Sequence, residues 1–110
     1  MSHRHRAVLQ KCLPKLLQCR NVTDIIAHLF THGILKQNHY SALLLEQTDY
    51  DRMSVIVTQH IMRGTIVEFD TFMNALRLDN TRVANELEYV YELTTEGNVF
   101  YIVLRCQTLF

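Results

Sequence analysis

The stretch Met62-Arg63-Gly64-Thr65-Ile66-Val67-Glu68-Phe69-Asp70-Thr71-Phe72-Met73-Asn74-Ala75-Leu76-Arg77 decides the fold. Phe69, Phe72, Met73 and Leu76 fall at i, i+3, i+4 and i+7, the spacing of a helical stripe that faces a core. Thr65 and Glu68 bracket its start as a capping box, in which the threonine oxygen accepts one orphan amide and the glutamate accepts another. Gly64 offers a residue for the left-handed turn that stops the preceding helix. Pattern and punctuation together predict a helix beginning near Ile66.

Working outward from it, the chain reads as helix after helix. Val8, Leu9, Leu13, Leu16 and Leu17 form a first stripe, and Pro14, which removes one helical hydrogen bond, is expected to bend it. Thr23 is the expected cap of a second helix carrying Ile25, Ile26, Leu29 and Phe30, with Gly33 closing it. Tyr40, Leu43 and Leu44 mark a third. Thr48 and Asp51 read as another capping box, ahead of Met53, Ile56, Val57, His60 and Ile61. A sixth helix starts near Asn80 with Val83, Leu87, Val90 and Leu93 as its stripe. Short connections suit an antiparallel bundle.

Two phrases carry a family resemblance. Val22-Thr23-Asp24-Ile25-Ile26-Ala27-His28-Leu29-Phe30 with Gly33-Ile34-Leu35 resembles the second helix of a caspase recruitment domain and the turn after it. Arg63-Gly64 with Phe69, Phe72 and Ala75-Leu76-Arg77 resembles the fifth helix and the turn before it. The resemblance runs from about Arg6 to Leu87 and is nearer to initiator-caspase prodomains and their adaptors than to the death-domain or death-effector branches. It implies an all-α, six-helix antiparallel death-fold bundle over residues 1–94, with a bent first helix and a short apolar tail over 95–110. It also implies homotypic binding in apoptotic or inflammatory signalling.

Composition is compatible with that class. A chain of 110 residues buries about two thirds of its unfolded surface in one core. Eleven basic and eleven acidic residues cancel, so the chain lacks the field of a nucleic-acid binder. No stretch reaches the ~20 apolar residues of a membrane span, and the N-terminus does not read as a signal peptide. Cys12, Cys19 and Cys106 are an odd set without disulfide spacing, which favours a reducing compartment and makes the cytoplasm the expected location. His28 and His32 have metal-ligand spacing, but Leu29 stands where a zinc-protease motif needs glutamate. No phosphate loop, nucleophile elbow or caspase signature is present. The expectation is therefore no enzyme, no cofactor and no metal.

In the commonest association mode of the resembled family, a basic surface on the first and fourth helices meets an acidic surface on the second and third. Residues 1–36 carry six basic side chains against one acidic, and residues 79–96 carry one basic against five acidic, a polarity that steers encounter and fixes orientation. The basic candidates are Lys11, Lys15 and Arg52; the acidic candidates are Asp24, Glu46 and Asp49. Ala27, Tyr50 and Ser54 depart from the charged residues common in that family. Glu86, Glu88 and Glu92 of the sixth helix are an alternative acidic surface.

The expected partner is a recruitment domain on a caspase or adaptor, with a homo-oligomer also open. A prodomain fragment of an initiator caspase is the alternative within the family. A small helical nucleic-acid binder using Arg4, Arg6, Lys11, Lys15 and Arg20 is the alternative from another class. The tail run Val99-Phe100-Tyr101-Ile102-Val103-Leu104 is strand-like in composition, and either packs on the bundle, pairs with another chain, or begins something longer.

Overall fold

The computed structural model describes residues 2–94, and the tail from 95 onward lies outside them. Within that range six helices and no strand are present: α1 His3–Leu16, α2 Val22–Thr31, α3 Gln37–Leu45, α4 Asp49–Val55, α5 Ile66–Asp79 and α6 Thr81–Leu93. α4 continues without a break into a π-helical turn, Ile56–Ile61, where the amide of Met62 reaches back five residues to the Val57 carbonyl at 2.9 Å. α1 packs on α6, α2 packs on α3, α4 and α5, and α5 packs on α6.

One apolar core joins these elements. Phe69, Phe72, Met73, Ala75 and Leu76 of α5 are all buried, as the stripe requires. Around them lie Val8, Leu9 and Leu16 of α1, Ile25, Ile26 and Leu29 of α2, Met53, Ile56, Val57 and Ile61 of α4 and its continuation, and Leu87 and Val90 of α6. Burying a Leu- or Phe-sized side chain contributes roughly 1.5–3 kcal/mol each, so the core rather than any cap supplies most of the stabilisation.

The helix ends show which local expectations hold. Thr65 and Glu68 form the full capping box of α5. Gly33 takes φ +79°; its amide donates to Phe30 at 3.1 Å while that of Ile34 donates to Leu29 at 2.9 Å, the paired bonds of a Schellman ending. Thr48 caps α4 by accepting the Asp51 amide at 3.1 Å, a single cap bond in place of the expected reciprocal box.

Other ends differ. Thr23 does not cap α2: Asn21 stands at that end in the left-handed region with φ 55°, and its carbonyl accepts the amides of Asp24 and Ile25. Asparagine tolerates that conformation better than most residues, which starts the helix at Val22 and lets Val22 bury. Gly64 is not left-handed; φ is positive only at Asn21 and Gly33 among the described residues. Gly64 is needed for space, since a Cβ there would lie 2.8 Å from Glu68 Cγ. In α3 only Leu43 is buried, and Leu44 is exposed. In α6 Ala84 lies fully inside and Val83 only partly, because the inward row is Asn80, Ala84, Leu87 and Val90.

Candidate protein-interaction surfaces

The six residues expected to carry association are distributed unevenly by this packing. Lys11 is exposed on α1. Lys15, one turn on, reaches across to α6 and pairs with Glu86. A basic candidate and a member of the alternative acidic surface thus engage each other inside the molecule. Asp24 is exposed in the first turn of α2, where a carboxylate complements the positive end of the helix dipole.

Glu46, Asp49 and Arg52 converge on the α3–α4 corner. Arg52 is only 21% exposed through its side chain; Nε donates to the Leu43 carbonyl at 3.2 Å and a terminal nitrogen donates to Asp49 at 2.9 Å. Its guanidinium therefore ties the last turn of α3 to the first turn of α4, with one planar group serving a carbonyl and a carboxylate. Asp49 remains half-exposed beside it and Asp51 is exposed in the same turn. Glu46 follows α3 and borders a 360 Å³ depression with His39, His60 and Arg63.

The opposite end of α4 gathers positive charge. Arg6 of α1 donates through Nε to the Met62 carbonyl at 3.3 Å, which brings it next to exposed Arg63. Sequence spacing could not show this juxtaposition, because Arg6 and Arg63 are far apart along the chain. Arg4 of the same helix takes another route: it lies 3.8 Å over the Tyr91 ring and donates to the Tyr91 carbonyl. Both interactions fasten α1 to α6.

Of the acidic sixth helix, Glu86 is held by Lys15 and Glu88 by Arg77 of α5. Glu92 is exposed. Of the residues that a nucleic-acid binder would use, Arg4 and Lys15 have these protein partners.

Most of the histidines and Cys12 lie on helices, and Cys19 lies in the turn between α1 and α2. His28 and His32 stack with centroids 4.1 Å apart, and His32 Nδ1 donates to the His28 carbonyl at 2.8 Å. Burial and the neighbouring His32 hold the His28 pKa below its usual value. His60 faces His39 at 4.7 Å, and burial, then His39, lower its pKa likewise. Cys12 and Cys19 are buried, and burial pushes Cys19 up to about 11, which keeps it protonated and unreactive at neutral pH. No group of three or more His, Cys, Asp or Glu side chains among the described residues is placed to hold a metal ion. No helix among them is long and apolar enough to cross a membrane.

No protein-family profile, no curated protein and no solved structure matches this chain.

Proposed function

We propose that the chain is a homotypic protein-interaction module of the caspase-recruitment kind, binding a recruitment domain of a caspase or adaptor, or further copies of itself, in the cytosol. Three features support this reading: the six-helix order, the Arg63-Gly64 turn before α5, and the phrase around Phe69 and Phe72 in the buried stripe of that helix. A detached initiator-caspase prodomain would use the same surfaces.

The observation that carries the mechanism is the placement of charge at the two ends of α4. Asp49 and Asp51 stand at its start, while Arg63 and Arg6 stand at its finish. About 20 Å of helix separates the two ends, too far for them to satisfy each other within one molecule. A second domain placed head to tail brings its acidic corner to the basic end of the first. Contacts of this heterologous type do not close on themselves unless the rotation completes a ring, so they build rings or filaments. Lys11 and Asp24 are exposed as well and remain candidates for the same contact.

Charge-swapped variants test this. Arg63→Glu and Asp51→Lys each set like charges across the head-to-tail junction, so each alone stays monomeric in sedimentation, whereas the two mixed meet with opposite charges at both junctions and associate again. Pull-down of a recruitment-domain partner with either variant gives a second readout. Association of folded Arg63→Glu at the wild-type level would remove this surface from consideration.

A further inference from the structure

The α5–α6 face carries an open groove of about 460 Å³. Phe69, Met73, Leu87 and Tyr91 line it, His5 stands at one end with its ring 4.7 Å from Phe69 and 4.9 Å from Tyr91, and Ile66 stands beside them 45% exposed. Asp70 and Glu92 border it as well, while Arg77 and Glu88 on the same border are paired with each other. Phe69, Met73 and Leu87 are buried beneath it, so its uncovered apolar surface is mainly that of Ile66 and Tyr91, and Asp70 and Glu92 make its edge negative. Apolar surface of this kind gains free energy when covered.

Where the chain leaves the bundle points to what covers it. α6 ends at Leu93, and Tyr91 and Glu92 of its last turn already border the groove. Residues 95–98 then span at most about 14 Å when extended and contain Gly97-Asn98, a turn-favouring pair. The apolar run Val99 to Leu104 follows. Six residues in extended form cover about 20 Å, close to the roughly 17 Å of helix between Ile66 and Arg77. Alternation puts Phe100, Ile102 and Leu104 on one side of such a segment. Arg105, the one charged residue after Glu96, comes next and complements Asp70 and Glu92.

We propose that the α5–α6 groove is the docking site for the chain's own Val99–Leu104 segment, with Arg105 set against its acidic border. The segment then closes an apolar face of the same molecule, separately from the α4 ends used in association.

Cys106 makes this testable in the full chain, since Cys12 and Cys19 are buried. A nitroxide attached to Cys106 in an isotope-labelled chain should broaden the amide signals of Ile66, Asp70 and Glu92. Mixing an unlabelled nitroxide-bearing chain with a labelled chain lacking the nitroxide should leave those signals sharp. Ile102→Glu should abolish the broadening while the remaining amide spectrum persists. Broadening seen only in the mixture would assign the groove to a second copy and overturn the proposal. Broadening confined to other faces, or none at all, would overturn it equally, and neither result touches the charge-swap experiment on α4.

Discussion

The side-chain amide of Asn80 engages both backbone groups of Arg20: the Arg20 amide donates to Oδ1 at 3.0 Å, and Nδ2 donates to the Arg20 carbonyl at 2.8 Å. Asn80 is buried at the junction of α5 and α6, and Arg20 lies in the turn between α1 and α2. One amide therefore fixes two helix connections to each other. It acts as a strand partner would, matching donor to acceptor and acceptor to donor.

Asn80→Ala should cost on the order of 2–3 kcal/mol, because two hydrogen bonds vanish and the Arg20 backbone groups lose their partners. Asn80→Asp keeps the acceptor but replaces the donor with a second oxygen facing the Arg20 carbonyl. It too should destabilise, despite its similar shape. Urea unfolding of both variants checks this; an aspartate variant as stable as wild type would mean that the Nδ2 bond contributes nothing.

Arg52 gives a prediction different from the one its position in the sequence suggests. Charge reversal at a docking arginine would weaken association without loss of stability. Arg52 instead holds Leu43 and Asp49, so Arg52→Glu sets like charges together and frees the end of α3. A loss of about 1–3 kcal/mol is expected, with Arg52→Lys intermediate because an ammonium cannot reproduce the planar fork. Thermal melts decide: an unchanged melting temperature for Arg52→Glu would return the residue to the interface.

These two residues show how far the sequence could be read. The α5 stripe and its capping box are local patterns, set by residues within a few positions of one another, and Phe69, Phe72, Met73 and Leu76 bury as the spacing requires. The same holds for Met53, Ile56, Val57 and Ile61, even though a π-helical turn shifts their register. Asn80 with Arg20, Lys15 with Glu86 and Arg6 beside Arg63 depend on which helices pack together, and no periodicity encodes that. Lys15 and Arg52 stand as candidates for a basic docking surface in the sequence, because the groups that hold them, Glu86 and the Leu43 carbonyl, gain their position only in the folded chain. Thr23 at the start of α2 failed for a different reason. Threonine is a good cap by composition, but left-handed Asn21 supplied the start without any side-chain bond.

The half-buried His60 predicts a pH effect. Burial and the facing His39 hold its pKa in the folded protein below the ordinary value of 6.5. The unfolded chain therefore binds the proton more readily, and stability rises with pH through that window. The His60 contribution is present above about pH 6.5 and lost as pH falls through its lowered folded value. Glu46 and Arg63, which border the same depression, and the Lys36 amide donating to His39 Nδ1 set the surrounding field. His60→Gln should flatten the fall in melting temperature between pH 7.5 and about pH 5. An equal slope in wild type and variant would place the sensitivity elsewhere.

Gly64 and Glu68 allow the cap of α5 to be tested through two residues at once. Glu68 accepts the Thr65 amide at 2.7 Å and also pairs with the Thr65 hydroxyl, and these bonds, that to the Thr65 hydroxyl first, hold its carboxyl below the usual carboxylate range. A methyl group on Gly64 would stand 2.8 Å from Glu68 Cγ and 2.9 Å from its Cβ, so the glutamate must rotate out of the cap and the turn must shift to clear the Cβ. Gly64→Ala should then cost at least about 1 kcal/mol, the ordinary value of a lost cap, although alanine suits a helix end better than glycine by backbone entropy. Glu68→Ala should cost a similar amount in the wild-type background and almost nothing when Gly64 is already alanine. That non-additivity is the signature of two residues acting on one bond. Carbon-detected titration supplies the second readout: the Glu68 pKa should rise toward its ordinary value in Gly64→Ala. Additive losses with an unmoved Glu68 titration would show that Gly64 serves the turn and not the cap.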